Sequence, residues 1–252
     1  MDLSNACALV TGGSGGLGSR ICSMLAAEGV DVAVGYRSGF ARAKAVCDDV
    51  KARGRKAIAV HLDLTNSQSV EAAVAQTAEQ LGGLDILVNN AAIAMGGHTV
   101  PPGDLNAFTP EIWDEMMAVN VRGPFLVTRA AAPHLRASKW GRVVNIGSTL
   151  GHGDWYSDRA FAPSKAAVVP LTRFLAASLA PNVTVNCVAP GLMVETGLGS
   201  GGPEHLVEGW QNRAALKVTT SADDVASQVV QLCRMSTVTG QSVVVDGGIN
   251  FH

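Results

Sequence analysis

Apolar runs without strict alternation recur along this chain, at 8–12 (ALVTG), 30–36 (VDVAVGY), 56–63 (KAIAVHLD), 84–90 (LDILVNN), 141–147 (GRVVNIG), 183–190 (VTVNCVAP) and 241–247 (QSVVVDG). Unbroken apolar runs predict strands covered on both faces, as in a parallel sheet. Between them, helical periodicity occupies 16–28, 40–53, 67–81, 110–137, 160–180 and 222–235. This strand–helix repetition predicts one doubly wound α/β domain over 1–252, with right-handed crossovers. Two segments read as embellishments. The stretch 95–108 is rich in Gly and Pro and reads as a loop. The stretch 193–210 sets glycines around a short amphipathic piece, which suits a substrate lid.

Composition narrows the picture. Of 252 residues, 47% are hydrophobic and 16% charged, and the net charge is −2. That balance supports a sizeable core and offers no basic face for nucleic acid or anionic lipid. The five scattered cysteines form no CxxC pair, so neither a metal site nor a disulfide is expected. No charged leader with an apolar run opens the chain, and no apolar stretch reaches the ~18 residues of a membrane span. The expectation is a soluble, cytoplasmic protein.

The first candidate chemistry is TGGSGGLG (11–18), which follows the first strand directly and opens a helix. Glycines there let backbone approach a pyrophosphate, and free N–H groups at the helix start favour its charge, as in a Rossmann fold. A bare tight turn is the plainer alternative.

The glycine turn resembles the TGxxxGxG motif of the short-chain dehydrogenase/reductase family, in its 3-oxoacyl-reductase-like branch. Further segments follow in family order: LVNNAA (87–92), with Ala92 for the usual glycine; VNVRGPF (119–125); IGS (146–148); VNCVAPG (185–191); and TGQSVVVDGG (239–248). The resemblance implies a Rossmann fold with a seven-stranded parallel sheet, a nicotinamide dinucleotide and a homotetramer. The extensive apolar faces of 110–137 and 160–180 agree with self-association. By the same resemblance Gly12, Ser14, Gly16, Leu17, Gly18, Asp63, Leu64, Asn90, Ala91, Pro190, Gly191 and Lys165 would line the cofactor. Thr196 would meet its carboxamide, although it stands one residue later after Pro190-Gly191 than the family pattern.

Charge bears on which dinucleotide is bound. An NAD-binding Rossmann fold usually ends its second strand in Asp or Glu, to hold the ribose diol. Here Tyr36 holds that place, followed by Arg37 and Ser38. A guanidinium binds a 2′-phosphate that a carboxylate would repel, so NADP(H) is favoured over NAD(H). A solvated arginine in a surface turn is the alternative.

The resemblance assigns Ser148 to steady the developing oxyanion, Lys165 to the ammonium and Asn120 to a water linking that lysine to solvent. The proton donor should be a tyrosine four residues before Lys165. That position is Phe161, thirteen residues after Ser148 in agreement with the family spacing. A benzene ring can neither donate nor relay a proton. Three explanations remain open. A tyrosine has been replaced, disabling the enzyme; another acid serves, from His152, Asp154, Tyr156 or Asp158; or the chain binds a nucleotide without redox turnover, or does non-redox chemistry. The expectation is an oxidoreductase interconverting a carbonyl and an alcohol on a small-molecule substrate.

Overall fold

The computed structural model describes residues 2–94, 105, 108–152, 161–197 and 204–251. Seven strands form one sheet: β1 (Cys7–Val10), β2 (Asp31–Tyr36), β3 (Ala57–His61), β4 (Ile86–Asn89), β5 (Gly141–Ile146), β6 (Val183–Pro190) and β7 (Ser242–Val245). All neighbours pair in parallel, in the order β3-β2-β1-β4-β5-β6-β7. The helices are α1 (Gly16–Ala27), α2 (Phe40–Ala52), α3 (Ser67–Leu81), α4 (Pro110–Met117), α5 (Gly123–Ala137), α6 (Phe161–Leu179), α7 (Glu204–Arg213) and α8 (Ala222–Arg234). The chain is a single α/β domain of the doubly wound, Rossmann-like class.

The unbroken apolar runs have the physical origin expected of them. Successive strand residues point to opposite faces. In β1, Ala8 and Val10 join the core under α1, α2 and α8, while Leu9 joins the core under α3, α5 and α6. The first core takes Leu17, Ile21 and Leu25 from α1 and Val225 and Val229 from α8. The second takes Val74 from α3, Val127 and Leu135 from α5, and Leu175 from α6. Strand order reverses between β1 and β4, so the connections leave those two strands in opposite directions and open a crevice at their carboxyl ends.

Two elements depart from the sequence expectation. The predicted helix 110–137 is interrupted by a π-helical turn at Ala118–Arg122. Pro124 has no N–H to donate to the Asn120 carbonyl, and the Gly123 N–H reaches back to Ala118 instead. The 193–210 segment contains a full helix, α7, which extends past it to Arg213 and buries Trp210. The loop expected over 95–108 lies almost wholly outside the described residues.

Leu87, on central β4, is fully buried. Leu87→Ala should lower unfolding stability by about 2–5 kcal/mol, the range for a deleted core leucine. Urea unfolding should show a lower midpoint at nearly constant slope. A loss below about 1 kcal/mol would contradict the close packing on both sheet faces.

Candidate active site

The glycine turn is held at the mouth of the crevice by backbone and side-chain bonds from β4. The Thr11 hydroxyl accepts from the N–H groups of Asn90 and Ala91, both at 2.9 Å. In return, Asn90 Nδ2 donates to the carbonyls of Thr11 (2.9 Å) and Gly12 (3.2 Å). Gly12 adopts φ +62°, a left-handed conformation that favours glycine. A Cβ on Gly18 would drive into the Gly12 carbonyl oxygen, and one on Gly16 would sit 3.1 Å from Thr196 Cα. Backbone therefore lies bare on this side of the turn.

Helix starts sharpen the point. The first N–H groups of α3 and α8 are capped by the side chains of Asn66 and Ser221. No side chain caps α1, which begins behind Gly15 with no acidic residue in its first turn. Its orphan donors and the positive end of its dipole remain available to an anion, and the residues present fit a pyrophosphate. Ser14 is half-buried in the turn, while Leu17 is spent on the core.

A cleft of about 150 Å³ runs on from the turn, lined by Gly12, Arg37, Asp63, Leu64, Ala91 and Val119 among others. Asp63 accepts from the N–H and hydroxyl of Thr65 at 2.9 and 2.7 Å. Those bonds, aided by the nearby Arg37 charge, hold its carboxyl below the usual range. Arg37 is exposed at the cleft's edge, and Ser38 next to it in the chain is exposed as well. The Tyr36 ring packs between Phe40 and His61, with centroids 5.7 and 5.8 Å away. Leu64 is buried against Gly123.

The other side of the crevice gathers the remaining predicted residues. Ser148 leaves β5 in extended backbone and caps a 3₁₀ turn (Thr149–Gly151), its Oγ accepting from the Leu150 N–H at 3.2 Å. The hydroxyl proton is thus left to donate outward. Lys165, only 3% exposed, points its Nζ at the Ile146 carbonyl, 2.8 Å away. Burial pushes its ammonium down to about 8. Phe161 begins α6 one turn earlier, and its ring centroid lies 5.6 Å from Lys165 Nζ. Asn120, on the π-helical turn, binds Ile93 twice: Oδ1 accepts from its N–H at 2.9 Å and Nδ2 donates to its carbonyl at 2.8 Å. Pro190 is buried at the end of β6, with Gly191 beside Thr220 and Asp246. Thr196 is buried and faces Gly16.

The short-chain dehydrogenase family model matches residues 6–204. The chain belongs to the short-chain dehydrogenase/reductase family. It is 37% identical to a granaticin polyketide synthase putative ketoacyl reductase 2 of Streptomyces violaceoruber, over 96% of this chain and 94% of that one. It is 34% identical to the 3-oxoacyl-acyl-carrier-protein reductase FabG of Aquifex aeolicus, over 99% of both. Among solved structures, a short-chain dehydrogenase from Burkholderia cenocepacia in complex with NADP matches with TM-score 0.91 and 38% identity, over the whole of both chains. The family's members are NAD(P)-dependent oxidoreductases, and this chain is one.

Several groups that build this short-chain dehydrogenase/reductase site carry no local signal in the sequence. Ser164 accepts from Asn120 Nδ2 at 3.0 Å and donates to the Phe161 carbonyl at 2.7 Å, so it locks α6 to the π-helical turn. Asp246 accepts from the Thr149 hydroxyl at 2.6 Å and from the N–H groups of Gly248, Ile249 and Asn250, pinning the turn behind Ser148 to the C-terminal tail. Burial alone would raise the Asp246 carboxyl, but these bonds outweigh it and hold it low. Glu195 binds Arg20 of α1 and the Ala222 N–H, at 2.7 and 2.9 Å, fixing the segment that carries Thr196.

Of the alternative acids, His152 places Nε2 3.0 Å from Ser242 Oγ, at the start of β7. Ser242 pairs with Cys187, itself level with Asn145, so the imidazole drops below the rim that carries Ser148. Asp154, Tyr156 and Asp158 lie outside the described residues. Among the described residues no group of three His, Cys, Asp or Glu is placed to hold a metal ion.

The low Lys165 value has a measurable consequence for the free protein. Between about pH 8 and 10.5 the unfolded chain binds the proton that the folded chain has released. Stability should therefore gain from this group as pH rises through that interval, by on the order of 3 kcal/mol. Urea titrations should show the gain in the native chain and its loss in Lys165→Met. Equal pH slopes in the two proteins would mean that the ammonium is well solvated.

Proposed function

We propose that this chain is an NADP(H)-dependent oxidoreductase that interconverts a carbonyl and an alcohol on a small-molecule substrate, in a soluble, cytoplasmic homotetramer. The observation that carries the reading is the convergence of the bare helix start, Ser148 and Lys165 on one crevice. When bound, the nicotinamide would supply or accept the hydride. The turn from Gly12 to Gly18 would hold the pyrophosphate, with Asn90, Ala91, Pro190, Gly191 and Thr196 flanking the nicotinamide half and Asp63 and Leu64 the adenine. Ser148 would donate to the oxygen as charge develops on it. Lys165 would carry positive charge to the same place, and Asn120 would fix the loop at Ile93 that walls the site. The ketoacyl reductase activities of the named relatives support a ketone as the carbonyl partner.

Arg37 supports NADP(H). It is exposed at the cleft's edge beyond Tyr36, where a carboxylate would select NAD. A guanidinium–phosphate hydrogen bond is worth about 1.5–3 kcal/mol, or roughly 10- to 150-fold in affinity. Fluorescence titration should show NADPH binding tighter than NADH, with Arg37→Ala closing most of the gap. Equal affinities in the native protein would refute the preference.

Exposed aromatic residues support the homotetramer. Trp113 on α4, Phe125 on α5 and Phe174 on α6 are 40%, 36% and 57% exposed, on helices beyond the sheet's own needs. Light scattering at micromolar protein should report four chains, and a monomer would overturn it. The five free cysteines are all buried, as suits a reducing compartment, and among the described residues no helix is long and apolar enough to cross a membrane.

Phe161 sets the proton step apart from that of relatives with a phenol. An NADPH oxidation assay over a panel of ketones should show slow turnover in the native chain and a rise in Phe161→Tyr. The contribution of a positioned general acid, ~10²–10⁴-fold, is the ceiling on that gain. If neither protein consumes NADPH with any ketone while both bind it, nucleotide binding without redox turnover replaces this reading.

A further inference from the structure

We propose that Lys165 is itself the proton donor of this enzyme, taking the place of the hydroxyl that Phe161 lacks. This rests on the redox reading above. The ammonium has three N–H bonds, and the Ile146 carbonyl takes one. Nζ lies over the Phe161 ring, 5.6 Å from its centroid. A ring satisfies a cation electrostatically without accepting its proton. Among the described residues nothing else takes its remaining N–H bonds, which are left for a group that enters from the crevice, reached directly or through one water.

Among the described residues, competing donors are turned elsewhere. His152 is engaged with Ser242 below the rim. Ser148 is a neutral hydroxyl, suited to stabilising an oxyanion and poorly suited to surrendering a proton near neutrality. Among the described residues, titratable groups on the elements packed against α6 leave the ammonium without a carboxylate partner. Cys187 on β6 is the group that acts on it, and burial raises that thiol and keeps it neutral. Arg122 on the π-helical turn donates to the Thr65 carbonyl, and the acidic residues of α4, Glu111, Asp114 and Glu115, are exposed. An unpaired, desolvated ammonium is a far better acid than a solvated lysine, and the value of about 8 fits that setting.

The step balances. As hydride from the reduced dinucleotide reaches the carbonyl carbon, the C=O π pair becomes an alkoxide lone pair. That oxygen takes a proton from Nζ, whose N–H bond pair stays on nitrogen as a neutral amine. Solvent then returns the proton. The dinucleotide is oxidised, the carbonyl reduced, and one proton is consumed overall.

Reduction requires the protonated amine, so the rate should be full below about pH 8 and fall roughly tenfold per pH unit above it. Three measurements test this. In the dinucleotide-free protein, nitrogen-15 NMR of Lys165 Nζ, assigned by its absence in Lys165→Arg, should titrate near 8. In NADPH oxidation with a ketone, the native chain should show the falling limb at the same pH. Lys165→Arg keeps the cation but does not release its proton, so it should lose at least ~10²-fold in turnover while still binding NADPH. Adding Phe161→Tyr to Lys165→Arg should recover much of that loss, because a phenol then donates beside a cation. Recovery also shows that the arginine variant is folded.

Several outcomes overturn the proposal: a lysine that titrates above 10, full turnover in Lys165→Arg, or loss of the limb in His152→Gln or of turnover in Tyr156→Phe. Native protein that binds NADPH but never consumes it would overturn the redox reading as well, which separates the two failures.

Discussion

A parallel sheet buried on both faces leaves one edge for chemistry, and that constraint positions every group in the crevice. With α1, α2 and α8 on one side and α3, α5 and α6 on the other, the strands spend their side chains on packing. What remains is the row of carboxyl ends and the turns that leave them. Ser148 follows β5, Asn90 and Ala91 follow β4, Gly191 follows β6, and the glycine turn follows β1. Their convergence comes from strand register, with Asn89 level with Asn145 and Asn145 level with Cys187. A one-residue slip would turn each strand's apolar set to the wrong face, so the packing that stabilises the fold also fixes the site.

Polar groups just beneath that edge depend on each other. Asn89 Nδ2 donates to Asn145 Oδ1 and to the Thr128 hydroxyl, and Asn145 Nδ2 donates to Thr172, all of them buried. Such groups are tolerated in an interior because their bonds are made, and each bond fixes a helix to a strand. Here they tie α5 and α6 to β4 and β5 directly below Ser148 and Lys165. Asn89 Oδ1 is the one buried side-chain nitrogen or oxygen among the described residues without a partner. Lys165 belongs to this layer too, a charge with one carbonyl and one aromatic face for company among the described residues. Its burial weakens the fold and sharpens its acidity by the same desolvation.

How much of this was legible in the sequence follows from how local each signal is. TGGSGGLG predicts its own turn because glycine's freedom and the following helix are adjacent in the chain. The Ser148–Phe161–Lys165 spacing is legible because one helical turn separates the last two. The strands at 183–190 and 141–147 emerge within a residue of expectation because burial on both faces makes their pattern continuous. The π-helical turn escaped the helical pattern of 110–137, since apolar periodicity barely registers one wide turn, although Pro124 after Gly123 marks where it forms. The ties Asp246–Thr149, Glu195–Arg20 and Ser242–His152 join residues 97, 175 and 90 positions apart. No local pattern encodes partners at that separation. Ser164 was closer to view, three residues from Phe161 and next to Lys165, but a serine inside a helix gives no sign that it will bridge to Asn120.

Phe161 stands where the family resemblance leads one to expect a tyrosine. The ring keeps its place because α6 is anchored by Ser164 and by the close fit of Gly151 against the backbone at Lys165, not by anything a phenol would bind. The glycine turn and the Arg37 edge of the cleft are built by other elements, β1 and β2. The electrostatics change most. A phenol beside Lys165 could share its proton and become partly anionic, stabilising the ammonium; the bare ring offers only its π face. With no anion near it among the described residues, desolvation dominates and the ammonium holds its proton less tightly. On the proposed reading, a ring without a hydroxyl leaves its neighbour the stronger acid, and the proton step moves by one helical turn.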